Sequence, residues 1–157
     1  MAYVSGGQGL WSTVDDYLTF ARMFLNAGTV NDVRLLKPET LKRMVTNCLS
    51  ENQLVNARSI LNDGHGFGLG VAIVLDPQKA SPQPCGGGMG GGGMGAVGWP
   101  GAFGGWWRAD PSNNSIFIFL THNMLELEQI FDGIGIGAFD AITQFQTQSM
   151  ALLQQNR

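Results

Sequence analysis

The sequence predicts an α+β fold, an antiparallel sheet of at least three strands with helices packed on it. Three observations predict it. Apolar residues recur at helical spacing from Val14 to Leu25, and more loosely over 125–155, which is the mark of helices that bury one face. Residues 65–75 alternate large apolar with very small side chains, the two-residue period of a strand. Residues 98–111 and 115–121 read as two further strands, joined by the turn residues Asp110-Pro111-Ser112-Asn113-Asn114. The 157 residues are the size of one domain, so 1–157 is expected to form a single unit.

Taken in order, Ser12 with Asp15 three positions later makes a capping-box-like start for the first helix. Val14, Tyr17, Leu18, Ala21, Phe24 and Leu25 form its apolar face, and Gly28 stands where a C-terminal glycine cap belongs. A turn through Asn31-Asp32 leads to a short apolar run, and Pro38 occupies the first turn of a second helix with Leu41, Met44, Val45 and Cys48 on its buried face. Residues 65–75 form one strand with a bulky face and a bare one. Residues 76–96, with three prolines and the glycine run around Met89, are expected to be a flexible Gly/Pro-rich loop. In 98–111 four glycines alternate with three tryptophans, so this strand is one that something approaches closely. Residues 115–121 are apolar on both faces, which predicts a central, sandwiched strand. The last helix is expected to break or start late at Gly133, Gly135 and Gly137, since each glycine costs about 1 kcal/mol in a helix interior.

Composition narrows the function. A net charge of −3 provides no basic field for nucleic acid. With 44% hydrophobic and only 13% charged residues, the chain is more apolar than a free-standing domain, so part of its surface is expected to be covered by something else. No apolar run reaches the roughly 20 residues of a membrane helix, and residues 1–6 lack the pattern of a signal peptide, so the expectation is a soluble chain, cytoplasmic by default. Cys48 and Cys85 have no metal-like spacing and are expected to be free and structural.

A search for chemistry is mostly negative. Gly86, Gly88 and Gly91 fit G-x-G-x-x-G, as any glycine run does, without a strand-to-helix turn around them. His65 and His122 are too few to hold zinc without carboxylate help, so neither a metal nor a cofactor is expected, and His122 reads as a structural or edge residue. Glu126 and Glu128 lie in a polar turn. No G-x-S-x-G elbow occurs, and no serine is followed three residues later by lysine. The three tryptophans at 99, 106 and 107 fit core or interface aromatics equally well.

In this order Ser5-Gly6-Gly7-Gln8-Gly9-Leu10-Trp11-Ser12-Thr13, Arg34-Leu35-Leu36-Lys37-Pro38-Glu39-Thr40, Gly66-Phe67-Gly68-Leu69-Gly70 and Gly98-Trp99-Pro100-Gly101 ahead of Asp110-Pro111 resemble the C-terminal part of the serine β-lactamase and penicillin-binding-protein-like family, class C-like esterases in particular. The resemblance runs from about Tyr3 to Thr121 and implies a partial β-lactamase/transpeptidase-like fold. The family's S-x-x-K and Y-x-N motifs precede the region matched and have no counterpart here. Its third motif, K-T-G on the strand lining the cleft, is matched by Trp99-Pro100-Gly101 with the lysine replaced. The resemblance therefore implies a cleft wall at Trp99, Pro100 and Gly101, the backbone N–H of Ala102 in the oxyanion hole, and neutral ester or amide substrates rather than carboxylate-bearing ones.

Two readings follow. In the first, the chain is a C-terminal fragment or split half of a carboxylesterase-type hydrolase, inactive alone, whose partner chain carries the N-terminal catalytic half. In the second, it is a non-catalytic module of that fold that self-associates through an uncovered apolar sheet face. A truncated family member is a third possibility, which an in-frame S-x-x-K upstream of Met1 would establish.

Overall fold

The computed structural model describes residues 9–58, 60–80, 89–123, 128–129 and 132–155, with 138 and 139 described through their backbone only. The first element is helix α1, Val14–Leu25. Its cap is Thr13, not Ser12: the Thr13 hydroxyl accepts from the N–H of Asp16 at 3.2 Å. Both residues can cap, and the backbone enters the helix one position later than the capping-box reading places it. Ala21, Met23 and Phe24 are buried, Tyr17 and Leu18 are half-buried, and Val14 is exposed. The helix ends with Ala27 in the left-handed conformation and the N–H of Gly28 bonded back to the carbonyl of Met23, a Schellman closure.

Strands β1 (Thr29–Val30) and β2 (Val33–Arg34) pair antiparallel across Asn31 and Asp32, both at positive φ, the geometry of a two-residue hairpin. Helix α2 is Pro38–Met44 with proline in its first turn, as expected; Leu41 is buried against the core, whereas Cys48 is exposed and free. Cys85 lies outside the described residues. Helix α3, Glu51–Asn56, has no counterpart in the sequence reading, although Ser50 and Gln53 make a reciprocal capping box at its start.

The sheet is a five-stranded antiparallel meander, β3 (His65–Phe67), β4 (Ala72–Val74), β5 (Val97–Pro100), β6 (Trp106–Asp110) and β7 (Ser115–Phe119), in spatial order β3-β4-β5-β6-β7. Two of the expected strands are hairpins. The stretch 65–75 folds back at 68–71, so that Phe67 pairs with Ala72, and the N–H of Leu69 bonds to the carbonyl of Met44 on α2. The stretch 98–111 folds back at 101–105, pairing Trp99 with Trp107. Alternation of large and small residues has the same period on both arms of a hairpin, so it does not reveal the reversal.

Strand β6 is buried along its whole length, and β7 is an edge strand, half-buried throughout. The expectation that β7 is sandwiched is met by its side chains, because Ile116 and Ile118 join the core against α1 while Phe117 and Phe119 pack on Phe145 of α4 (Gly137–Gln155). The expectation that it is central is not. Helix α4 starts after turns at 132–136; Ile142, Gln146 and Ser149 face the sheet, while Leu152 and Ile134 are exposed.

Three layers result: α1 and α2, the sheet, then α4. Between α1 and the sheet, Tyr17, Phe20 and Phe24 surround the Trp107 indole at centroid distances of 5.6, 5.8 and 5.3 Å, contacts worth roughly 0.5–1.5 kcal/mol each beyond area burial. Of the expected loop over 76–96, residues 81–88 lie outside the described residues. Its last part is held against the sheet: Trp106 Nε1–H donates to the carbonyl of Met89 at 3.2 Å, Arg108 Nη1–H to that of Gly91, and the N–H of Gly93 to Asp110 Oδ2 at 2.8 Å.

Candidate functional site

The backbone fixes the candidate site before any side chain does. Gly98 pairs with Arg108, and a Cβ on Gly98 would lie 2.1 Å from the carbonyl oxygen of Trp107 and 2.9 Å from Met89 Sδ, so only glycine lets β5 run this close to β6. The pairing ends in a turn at 101–105. The N–H of Gly101 donates to the carbonyl of Gly105 at 2.6 Å and the N–H of Gly104 to that of Gly101 at 3.0 Å. Ala102 stands exposed at the tip, and its N–H donates to nothing among the described residues.

Below the turn lies a cavity of about 320 Å³. Gly101 and Gly105 of the turn, Tyr17 and Phe20 of α1, and Trp107 and Leu120 are among the residues that line it. Among the described residues, none that lines it is charged. Burial raises the Tyr17 phenol above its ordinary pKa, and the indole N–H of Trp107, which favours the phenolate, opposes that shift. A space of this size and polarity suits an apolar group.

Of the residues singled out in the sequence, Trp99 and Gly101 both border this cavity, with Pro100 between them on β5 and Ala102 next along the chain. The Trp99 side chain nevertheless leaves its register partner Trp107. It packs edge to face on Phe67 at 5.0 Å, in a cluster with Leu61, Ala72 and Met89. His65 is elsewhere and buried, its ring nitrogens facing the carbonyls of Asn62, Asp63 and Gly90. His122 is exposed and stacks on Phe103. Gly86, Gly88 and Glu126 lie outside the described residues. Sequence reasoning missed the contribution of Tyr17 and Phe20, because helical periodicity shows which face is apolar and not that a gap remains beneath it.

It also missed the polar interior on the opposite face of the sheet. Arg108 is fully buried, lies between the rings of Trp106 and Phe117 at 5.5 and 5.3 Å, and donates from Nη2 to Met150 Sδ at 2.8 Å. Burial pulls its pKa down, and the nearby Asp110 carboxylate opposes this. Arg108 Nε and both amide atoms of the buried Gln146 have no hydrogen-bond partner among the described residues. Asp110, by contrast, accepts from the N–H of Gly93, the N–H and hydroxyl of Ser112, and Asn113 Nδ2. Among the described residues, no three His, Cys, Asp or Glu side chains gather as metal ligands would, and no helix is long and apolar enough to cross a membrane.

The family model described as Beta-lactamase matches residues 1–132. Protein Rv1367c of Mycobacterium tuberculosis (strain ATCC 25618 / H37Rv) is 43% identical over 130 residues, a stretch covering 80% of this chain and 31% of that protein. Uncharacterized protein MT1414 of strain CDC 1551 / Oshkosh matches to the same extent. The chain thus spans about a third of the length of the curated relatives it matches. Among solved structures, a LovD9 mutant of simvastatin synthase (LovD) from Aspergillus terreus superimposes with a TM-score of 0.66 at 20% identity, over 99% of this chain and 38% of that one. EstCE1, a hydrolase with promiscuous acyltransferase activity, gives 0.53 at 23% identity, over 84% and 30%. At these identities the two structures speak to the fold alone.

Proposed function

The chain belongs to the Beta-lactamase family, and from that premise we propose that it supplies one wall of the active site of a carboxylesterase-type serine hydrolase whose nucleophile lies elsewhere. Trp99, Pro100 and Gly101 line the cleft, and the N–H of Ala102 is one of the two oxyanion donors. The serine and lysine of S-x-x-K come from a chain or segment corresponding to the part of the relatives not matched here. The observation that carries this reading is the turn at 101–105, whose exposed tip holds an unused donor and whose Gly101 and Gly105 border an aromatic cavity. A fixed donor of this kind lowers the barrier by about 2.7–4 kcal/mol. Trp99 at the position of the family's lysine places no cation there, which favours neutral ester or amide substrates.

The test is hydrolysis of p-nitrophenyl butyrate by the purified chain, alone and mixed with a catalytic half taken from a relative. A serine-reactive phosphonate and intact-mass detection accompany both reactions. The expected outcome is no turnover and no adduct alone, with turnover and an adduct on the partner's serine in the mixture. An adduct on a serine of this chain would overturn the proposal.

A second reading, a self-associating module without catalysis, draws on the exposed Leu10, Trp11 and Leu120 and on β7 at the sheet edge. Light scattering of the isolated chain tests it, with a monomer at all concentrations counting against it.

A further inference from the structure

The turn at 101–105 is held from outside by the three residues that follow Leu120. Gly104 has φ +83, and a Cβ there would lie 2.8 Å from Thr121 Cγ2, so Thr121 seats directly against the turn. The His122 imidazole stacks on the Phe103 ring, centroids 4.9 Å apart and planes 23° from parallel. The N–H of Asn123 donates to the carbonyl of Phe103 at 2.8 Å. Three consecutive residues thus meet the two residues next to Ala102. Within the turn, the Gly101 carbonyl accepts from the N–H of Gly104, and because that carbonyl and the Ala102 N–H share one planar peptide unit, this bond sets the direction of the Ala102 N–H.

We propose that His122 is a positioning residue, which holds Phe103 in place and so preserves the Gly104-to-Gly101 hydrogen bond that directs the Ala102 N–H. The inference rests on the reading of Ala102 as an oxyanion donor. A backbone donor stabilises developing charge only when it is oriented beforehand, and a turn with glycines on both sides of its tip has wide conformational freedom. A planar ring lying on Phe103 restricts that freedom at the adjoining residue. His122 itself is exposed, so its removal leaves no buried void, and its contribution falls on the order of the turn rather than on the stability of the fold.

The experiment uses the isolated, 15N-labelled chain and needs no substrate. In the unsubstituted chain, nuclear Overhauser contacts join the His122 and Phe103 rings, and the Ala102 amide has an order parameter near 0.85, that of rigid backbone. In His122→Ala the order parameter of Ala102 falls below about 0.6. His122→Phe, which keeps the stacked ring, restores it. The thermal midpoint of both variants stays within about 2 °C of the unsubstituted chain. In enzyme assembled with a catalytic half, kcat falls on the order of tenfold in His122→Ala with KM unchanged, and His122→Phe recovers it.

Absent ring contacts, an Ala102 amide indifferent to His122→Ala, no rescue by phenylalanine, or a large drop in thermal midpoint would each overturn the proposal. Should Ala102 respond as expected while no assembled enzyme hydrolyses ester, the positioning role stands and the catalytic reading of the chain fails.

Discussion

At the scale of single residues, the proposed oxyanion donor is the N–H of Ala102. Ala102→Pro deletes that donor, and because the N–H bonds to nothing among the described residues the fold loses no hydrogen bond. Turnover of the assembled enzyme is expected to fall by about 10²–10³ in kcat, measured on a p-nitrophenyl ester, with an unchanged circular dichroism spectrum. Asp110 makes the opposite case, a residue important for stability. Its carboxylate ties the segment around Gly93 to the turn after β6 through four donors, which Asp110→Ala leaves without that acceptor. A loss on the order of 3 kcal/mol is expected in urea unfolding. Tyr17 titrates above its ordinary range because it is partly buried. The fold therefore favours the neutral phenol: its contribution is complete below the unfolded value of about 10 and is lost as pH rises through the folded one. Absorbance at alkaline pH is expected to show Tyr17 ionising late in the folded chain, and together with the chain's other tyrosine, Tyr3, when the chain is unfolded.

At the scale of elements, what could be read from the sequence divides by physical cause. Helix α1 was legible because one-sided burial imposes a 3.6-residue period, and α2 because proline fits a first turn. The two hairpins at 65–74 and 97–110 were not, since a strand and its reversed continuation share one period. Tight turns at 68–71 and 101–105 carry no Asn-Gly or Asp-Gly marker. Glycine spacing did disclose the close approach of β5 to β6. Gly98→Ala sets a methyl group against the Trp107 carbonyl and is expected to destabilise by several kcal/mol, beyond the roughly 1–3 kcal/mol of ordinary overpacking, as measured by thermal unfolding. The candidate residues Trp99, Pro100, Gly101 and Ala102 came from motif order, and Trp99 and Gly101 border the cavity. The cavity beneath them was not, because it depends on how far α1 stands from the sheet, a distance no local pattern encodes.

For the whole molecule, low charge and high apolar content anticipate a surface that another part covers. Leu10, Trp11 and Leu120 are exposed, and β7 lies at the sheet edge. The isolated chain is expected to bind a hydrophobic dye such as ANS, and the fluorescence to fall when a catalytic half is added at equimolar concentration. Unchanged fluorescence alongside recovered hydrolysis would mean that the two parts meet through another surface.

The order of the strands also governs how fast such a chain reaches its structure. Every strand of the sheet pairs with the one just before or after it in sequence, so four pairings close the sheet. Three of them close short loops, and only β4 with β5 must bring together the two ends of a long connection, 75–96. Nearby partners meet within microseconds, whereas the entropy of closing the long connection is lost before its contacts form. The β5-β6-β7 arm, which carries the Ala102 turn, is thus placed to form early, and the β3-β4 arm joins it afterwards. The length of that connection is expected to slow the last step, because a longer link lowers the frequency with which Ile73 finds Val97.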